Sequence, residues 1–230
     1  MKKSLQILIE VVLAAVCVVL AVAIVKSINK PVNFNKQKAY RESVGIQRLK
    51  DIRTLQAAYK SETGRFLSTV DSLKQFYEDG KMTIVLQIGS MDDSVAVMHT
   101  EAVKKANRKI TPEQMLDRYR AGDHNLVFSI ERLVAVKDTL FRGRADFNID
   151  SLKTIPFSGG APVEMDAVVK MVSGVPVPLF EARMPYKLLL RGMDNQLRVN
   201  LDADQRAKNR YEGLQVGSIS APNNNAGNWE

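Results

Sequence analysis

Apolar residues enter this chain first as a block and then as a stripe. Residues 7–25 are apolar at every position except Glu10. At about 1.5 Å of rise per residue such a helix is roughly 28 Å long, close to the hydrocarbon thickness of a bilayer. Three readings compete for the block. A cleaved secretory signal would use the small-x-small pattern Ala21-Val22-Ala23, but the run is long for a signal's apolar core. A lipoprotein signal ahead of Cys17 would need a small residue where Val16 stands. A retained single-pass anchor fits the length best and is adopted.

Asn29-Lys30-Pro31 predicts a break, because proline removes a helical donor and pushes its predecessor out of the α region. Helical periodicity then resumes. Tyr40, Val44, Leu49, Ile52, Leu55 and Tyr59 recur every three to five residues with charges between them, which predicts an amphipathic helix packing through these side chains. Gly64 stands where a C-cap glycine is expected. Thr69, Asp71 and Ser72 open a short helix through Leu73, Phe76 and Tyr77 that stops at Gly80.

Residues 82–89 read as a strand and residues 90–125 as polar and helical in part. Within them Thr111 as N-cap, Pro112 at the first helical position and Glu113 in the first turn predict a helix over 111–119. Strands are predicted at 125–136, 163–172 and 177–184, with Ser173-Gly174 forming a hairpin turn. The stretches 186–190 and 196–201 are weaker strand candidates, and 221–230 reads as a loose tail. The expected fold class is α+β: an N-terminal transmembrane helix continuing into a long amphipathic helix, packed on an antiparallel β-sheet head. The expected division is an anchor at 1–30, long and short helices at 31–80, and the head at 81–230.

Composition limits the function classes. Lys and Arg outnumber Asp and Glu by 33 to 25, but no dense basic block with interleaved aromatics occurs, so nucleic acid is not an expected partner. Basic residues flank the apolar run, where attraction to anionic headgroups accounts for them, and membrane lipid is an expected partner. The single cysteine, Cys17, lies inside that run, which leaves the remainder without a disulfide, a thiol nucleophile or a cysteine zinc site. His99 and His124 have no partner at metal-ligand spacing, and Asp92-Asp93 reads as a solvated turn. Ser158-Gly159-Gly160 lacks the Lys-Ser/Thr and the strand-to-helix setting of a phosphate loop. No cofactor, metal or catalytic residue is expected, and the inventory argues against an enzyme.

The N-terminal third resembles a type IV pilin or a type II secretion pseudopilin. The stretch LIEVVLAAV carries a glutamate, Glu10, at the fifth position if Gln6 is counted as first. The segment 49–66 is similar to the place where pseudopilins end their long helix, with Tyr59, Glu62, Gly64, Arg65 and Phe66 filling the family's positions. Leu5 stands where the family's leader peptidase requires glycine, so the resemblance implies a subunit that keeps its short N-terminus. It also implies an assembly role for Glu10 by pairing with a neighbouring subunit, self-association or contact with other envelope proteins, and a structural rather than catalytic function. The residues alone leave a second reading of Glu10 open, that it snorkels toward headgroups near Lys2 and Lys3. An accessory protein that binds an envelope partner without forming filaments is the alternative function.

The flanking charges give a topology of their own. Lys26, Lys30, Lys36, Lys38 and Arg41 follow the run, against Lys2 and Lys3 before it, which by the positive-inside rule places the C-terminal domain in the cytoplasm. The resemblance instead implies an inner-membrane anchor with that domain on the periplasmic side. That location is the one expected here, since long domains translocate despite flanking charge.

Overall fold

The computed structural model describes residues 2–230, with side chains at Glu10 and from Val12 onward. The side chains of Lys2 and Lys3, invoked above for Glu10, and of Leu5 and Gln6 lie outside the described residues. In chain order the elements are α1 (Lys2–Thr63), α2 (Val70–Asp79), β1 (Lys81–Ile88), α3 (Ser94–Ala106), α4 (Pro112–Arg120), β2 (Phe128–Ala135), α5 (Val136–Thr139), a 3-10 turn (Ile149–Lys153), β3 (Glu164–Val172), β4 (Val175–Pro185), α6 (Tyr186–Leu189), α7 (Asn195–Ala207) and β5 (Gly213–Gly217). The fold is therefore mixed helix and sheet, with a long apolar N-terminal helix and two small antiparallel sheets, β1-β2 and β3-β4-β5.

The break expected at Pro31 is absent, because α1 runs through the proline without interruption. An interior proline removes one backbone bond and costs about 3 kcal/mol, a local penalty that packing further along can offset. That packing begins at once: Lys30 pairs with Asp194 at 2.8 Å and Phe34 is buried. The helix ends as expected at Gly64, whose positive φ of 72° and N–H bond to the Lys60 carbonyl close the last turn.

The residues gather into two compact units. The first holds α1 as far as Ala57, Arg65–Leu73 and Asn148–Glu230; the second holds Ala58–Gly64 and Lys74–Phe147. In the first, β3 and β4 form the hairpin expected at Ser173-Gly174, whose φ values of 51° and 83° put both turn residues in the left-handed region. α1 lies close on this sheet at Gly45. A Cβ built there would stand 2.8 Å from Leu214 Cδ1, with Leu189 and Met184 next nearest. Leu49, Ile52, Leu55, Phe180, Met184, Leu189 and Val216 are fully buried in this unit.

Two expected strands are helices. Residues 186–189 form α6, with Leu190 as its C-cap, because Tyr186, Leu189 and Leu190 bury at helical spacing, and the Leu190 N–H bonds the Tyr186 carbonyl at 2.9 Å. Residues 196–201 belong to α7, whose N-cap Asp194 accepts from the Leu197 N–H at 2.9 Å and whose Arg198 pairs with Asp202 one turn on. The expected loose tail is also ordered. Gly217 donates to Ala226, Asn228 donates to Gln215, and Glu230 pairs with Arg53 at 2.7 Å, so the C-terminal residues pair along β5.

In the second unit β1 and β2 pair from Lys81↔Ala135 to Ile88↔Phe128. Val103, Met115, Leu116, Leu126, Phe128 and Ile130 form its core. Asp93 caps α3, and Thr111 with Gln114 forms a reciprocal capping box on α4. The buried Thr100 hydroxyl donates to the Ala96 carbonyl and accepts from the Val127 N–H at 2.8 Å, joining α3 to the start of β2.

Candidate assembly interface

α1 changes character along its length. Its most apolar 18-residue stretch has a mean hydropathy of 2.4 and none of that stretch is buried; α1 is long and apolar enough there to cross a membrane. Val12, Leu13, Val18, Leu20, Val22, Ile24 and Val25 are all exposed and lie on every side of the helix. A helix apolar all round is stable only in lipid or against other helices, since water penalises every exposed aliphatic side chain. Glu10 and Cys17 are both exposed in this half. Seven residues apart, they project from the same face about 10 Å from each other along the axis.

The second half carries the stripe. Leu49, Ile52 and Leu55 are fully buried, Val44 and Tyr59 are half-buried, and Tyr40 is 65% exposed, with its ring 5.9 Å from Phe157. Tyr59 places its ring edge-on to Phe76 at 5.1 Å. The face that holds the rest of the first unit runs one position out of phase with Tyr40 and Val44, through Lys38, Arg41, Gly45 and Arg48, with Phe34 buried in the same phase. Arg41 donates to the carbonyls of Leu189 and Arg191 at 3.2 and 2.8 Å, and Arg48 donates to Thr154 at 2.6 Å. Burial pulls the Arg48 guanidinium below its ordinary pKa. Glu42 accepts from the Tyr186 hydroxyl at 2.6 Å and pairs with Lys38 at 3.3 Å. Burial first, and the Glu42 carboxylate second, push the Tyr186 hydroxyl far above its usual range. Reading only apolar positions misses this face, because three of its five members are cationic. The signal that was available is Gly45 in phase with Leu49 and Ile52.

The remaining sequence candidates have structural employment. His99 Nε2 lies 3.0 Å from Asp123 Oδ1, with Arg118 3.7 Å from the same carboxylate, and His124 stands edge-on to Tyr119. Ser158 is buried, donates to the Ile155 carbonyl and accepts from the Ala161 N–H, which makes it the bracket of a turn. No group of three or more potential metal ligands occurs among the described residues. Two clefts flank α6 and α7, of about 610 and 330 Å³, and they share Lys187 and Arg198.

Compared with protein-family models, with curated proteins and with solved structures, the chain shows no match.

Proposed function

We propose that this protein is a membrane-anchored, pseudopilin-like structural subunit of a bacterial envelope or secretion-type assembly. The observation that carries the reading is the division of labour on one unbroken helix: the most apolar stretch of α1, from Val12 on, is exposed, while the second half buries Leu49, Ile52 and Leu55. A head fixed rigidly to its own span transmits any association in the membrane to the soluble part. Glu10 supports the same reading, because a carboxylate within hydrocarbon costs several kcal/mol unless it finds a partner or a proton. Three of the cations after the span, Lys30, Lys38 and Arg41, are engaged by the first unit, which gives them a use apart from topology. On this reading the C-terminal domain lies on the periplasmic side.

The alternative, an accessory protein that binds an envelope partner without polymerising, draws on the second unit. Its sheet has only two strands, and Val85 and Leu133 are exposed on it. Co-expression of tagged and untagged full-length chains separates the two. Assembly through the span makes the untagged copy co-purify from membranes, and replacing 7–25 with an unrelated apolar span abolishes it. Recovery of the tagged copy alone contradicts the subunit reading. A phosphatase fused after Glu230 should be active; an inactive phosphatase beside a fluorescent protein fusion contradicts the periplasmic placement.

A further inference from the structure

β1 and β2 make a sheet of their own, so each strand has an outer edge. The main-chain groups of an antiparallel strand point alternately toward its partner and away, and two bonds fix the phase here. The Gly80 carbonyl accepts the Val136 N–H at 3.1 Å, which turns the even-numbered residues of β1 toward β2. The Thr83 N–H donates instead to Glu62 Oε1 at 2.8 Å, which turns the odd-numbered residues outward. Glu62 thus closes the outer edge at Thr83. Beyond it, the outward main-chain groups of Val85 and Gln87 have no partner among the described residues, and both residues are exposed.

Proteins that stay apart blunt such an edge with charge, proline or a bulge. β2 carries the adjacent charges Glu131 and Arg132. Residues 82–88 of β1 hold neither charge nor proline, and the strand pairs along its whole length without a bulge. Ile84, Leu86 and Ile88 share one face of the strand, the face that packs on the core at Ile88, yet Leu86 remains 46% exposed. The edge is built to continue.

We infer that the outer edge of β1 pairs antiparallel with β1 of a second copy of this chain, joining the two sheets across a two-fold axis. It rests on the reading that copies gather in one membrane, which raises their effective concentration so that a short ladder suffices. The occupant follows from the register. With Thr83 closed by Glu62, the free residues are Val85 and Gln87, and setting Val85 against Gln87 of the second copy pairs Gln87 with Val85 by symmetry. Each pair exchanges two main-chain bonds about a centre at Leu86. The same register sets Leu86 against Leu86 and Ile84 against Ile88, apolar against apolar, and sends the two Lys81 side chains to opposite ends of the ladder. An uncharged edge offers a charged partner strand no complement, whereas it meets its own copy without repulsion.

The test is disulfide crosslinking of the full-length chain in membranes, with Cys17→Ala removing the native thiol. Directly opposed residues of a pair without mutual main-chain bonds have Cα atoms about 4.5 Å apart, within reach of a disulfide. Leu86→Cys should therefore give a linked dimer. Val85→Cys, which faces Gln87 of the second copy, and Leu133→Cys, on β2, should link more slowly. Val85 and Leu133 are 63% and 64% exposed, so random collision would favour them over Leu86. Adding Val85→Pro to Leu86→Cys removes one outward N–H from each copy, a change that an edge strand tolerates, and should weaken linking about tenfold. Equal linking at Leu86, Val85 and Leu133 overturns the inference, as does linking at Leu86 that Val85→Pro leaves unchanged. No dimer at Leu86, while the native chain links through Cys17, overturns it, hands the edge to another protein and leaves the subunit reading standing. No dimer through either cysteine overturns both.

Discussion

Gln56 and Leu67 hold each other through both halves of their polar groups. The Gln56 amide donates to the Leu67 carbonyl at 2.6 Å, and its oxygen accepts the Leu67 N–H at 2.9 Å. Gln56 is fully buried on α1, so this pair is what returns the chain to the helix after the turn at Gly64. Gln56→Leu strands a donor and an acceptor at about 1–3 kcal/mol each, and an expected loss of about 2–6 kcal/mol should appear as a lower denaturant midpoint with unchanged slope. Gln56→Glu keeps the acceptor but buries a charge, and is expected to cost more than Gln56→Leu at neutral pH.

Gly45 sets how near α1 approaches the β3-β4-β5 sheet. Gly45→Ala gains helix propensity of about 1 kcal/mol and meets only the far end of the Leu214 side chain, so a net change within about 1 kcal/mol is expected. Gly45→Leu drives a full side chain into Leu214, Leu189 and Met184 and is expected to cost about 2–3 kcal/mol. Thermal melts of the two variants check the contrast. Equal destabilisation by both would mean that the close approach is not the reason for glycine here.

Asp202 is buried on α7, with Arg198 on one oxygen and no partner on the other. Burial pushes its carboxyl above the ordinary range, against the opposing pull of Arg198. A proton held more tightly in the folded state favours folding at low pH, so stability from this group is fully present below the ordinary carboxylate pKa. It is lost as the pH rises through the raised value. Asp202→Asn should therefore gain stability relative to the native chain as the pH is raised across that interval. Arg198→Met leaves the carboxylate alone and is expected to cost about 3 kcal/mol at neutral pH, less in acid. Denaturation at a series of pH values measures both.

How far the fold was readable depended on whether two rules agreed at a position. Ser173-Gly174 was readable because residues tolerant of positive φ stood between two β-rich runs. Gly64 and Gly80 likewise marked helix ends that the apolar pattern had already reached. α7 was not readable, because Leu197, Val199 and Leu201 satisfy a period of two while Leu197 and Leu201 equally satisfy i, i+4; the N-cap Asp194 was the deciding signal. Pro31 misled for a different reason: a local penalty was outweighed by packing that involves Asp194, distant in sequence. In the stripe, Leu49, Ile52 and Leu55 stood out by hydrophobicity, whereas Arg41 and Arg48 bind backbone carbonyls that no sequence pattern brings near them. The tail reads as loose because its pairing to β5 uses main-chain groups, to which composition is blind.

The central claim, that copies of this chain associate through the apolar half of α1 with Glu10 at the contact, meets its most direct test in oxidative crosslinking at Cys17. Cys17 lies on the Glu10 face and is the only cysteine, so no other thiol competes and no new one is needed. Native membranes should yield a disulfide-linked dimer. A charge-assisted hydrogen bond is worth about 1.5–3 kcal/mol, so Glu10→Gln should weaken dimer formation about tenfold to a hundredfold, and Glu10→Leu at least as much, with insertion unchanged. Crosslinking at the native level in both variants would contradict the claim and leave Glu10 as a marker of the membrane interface.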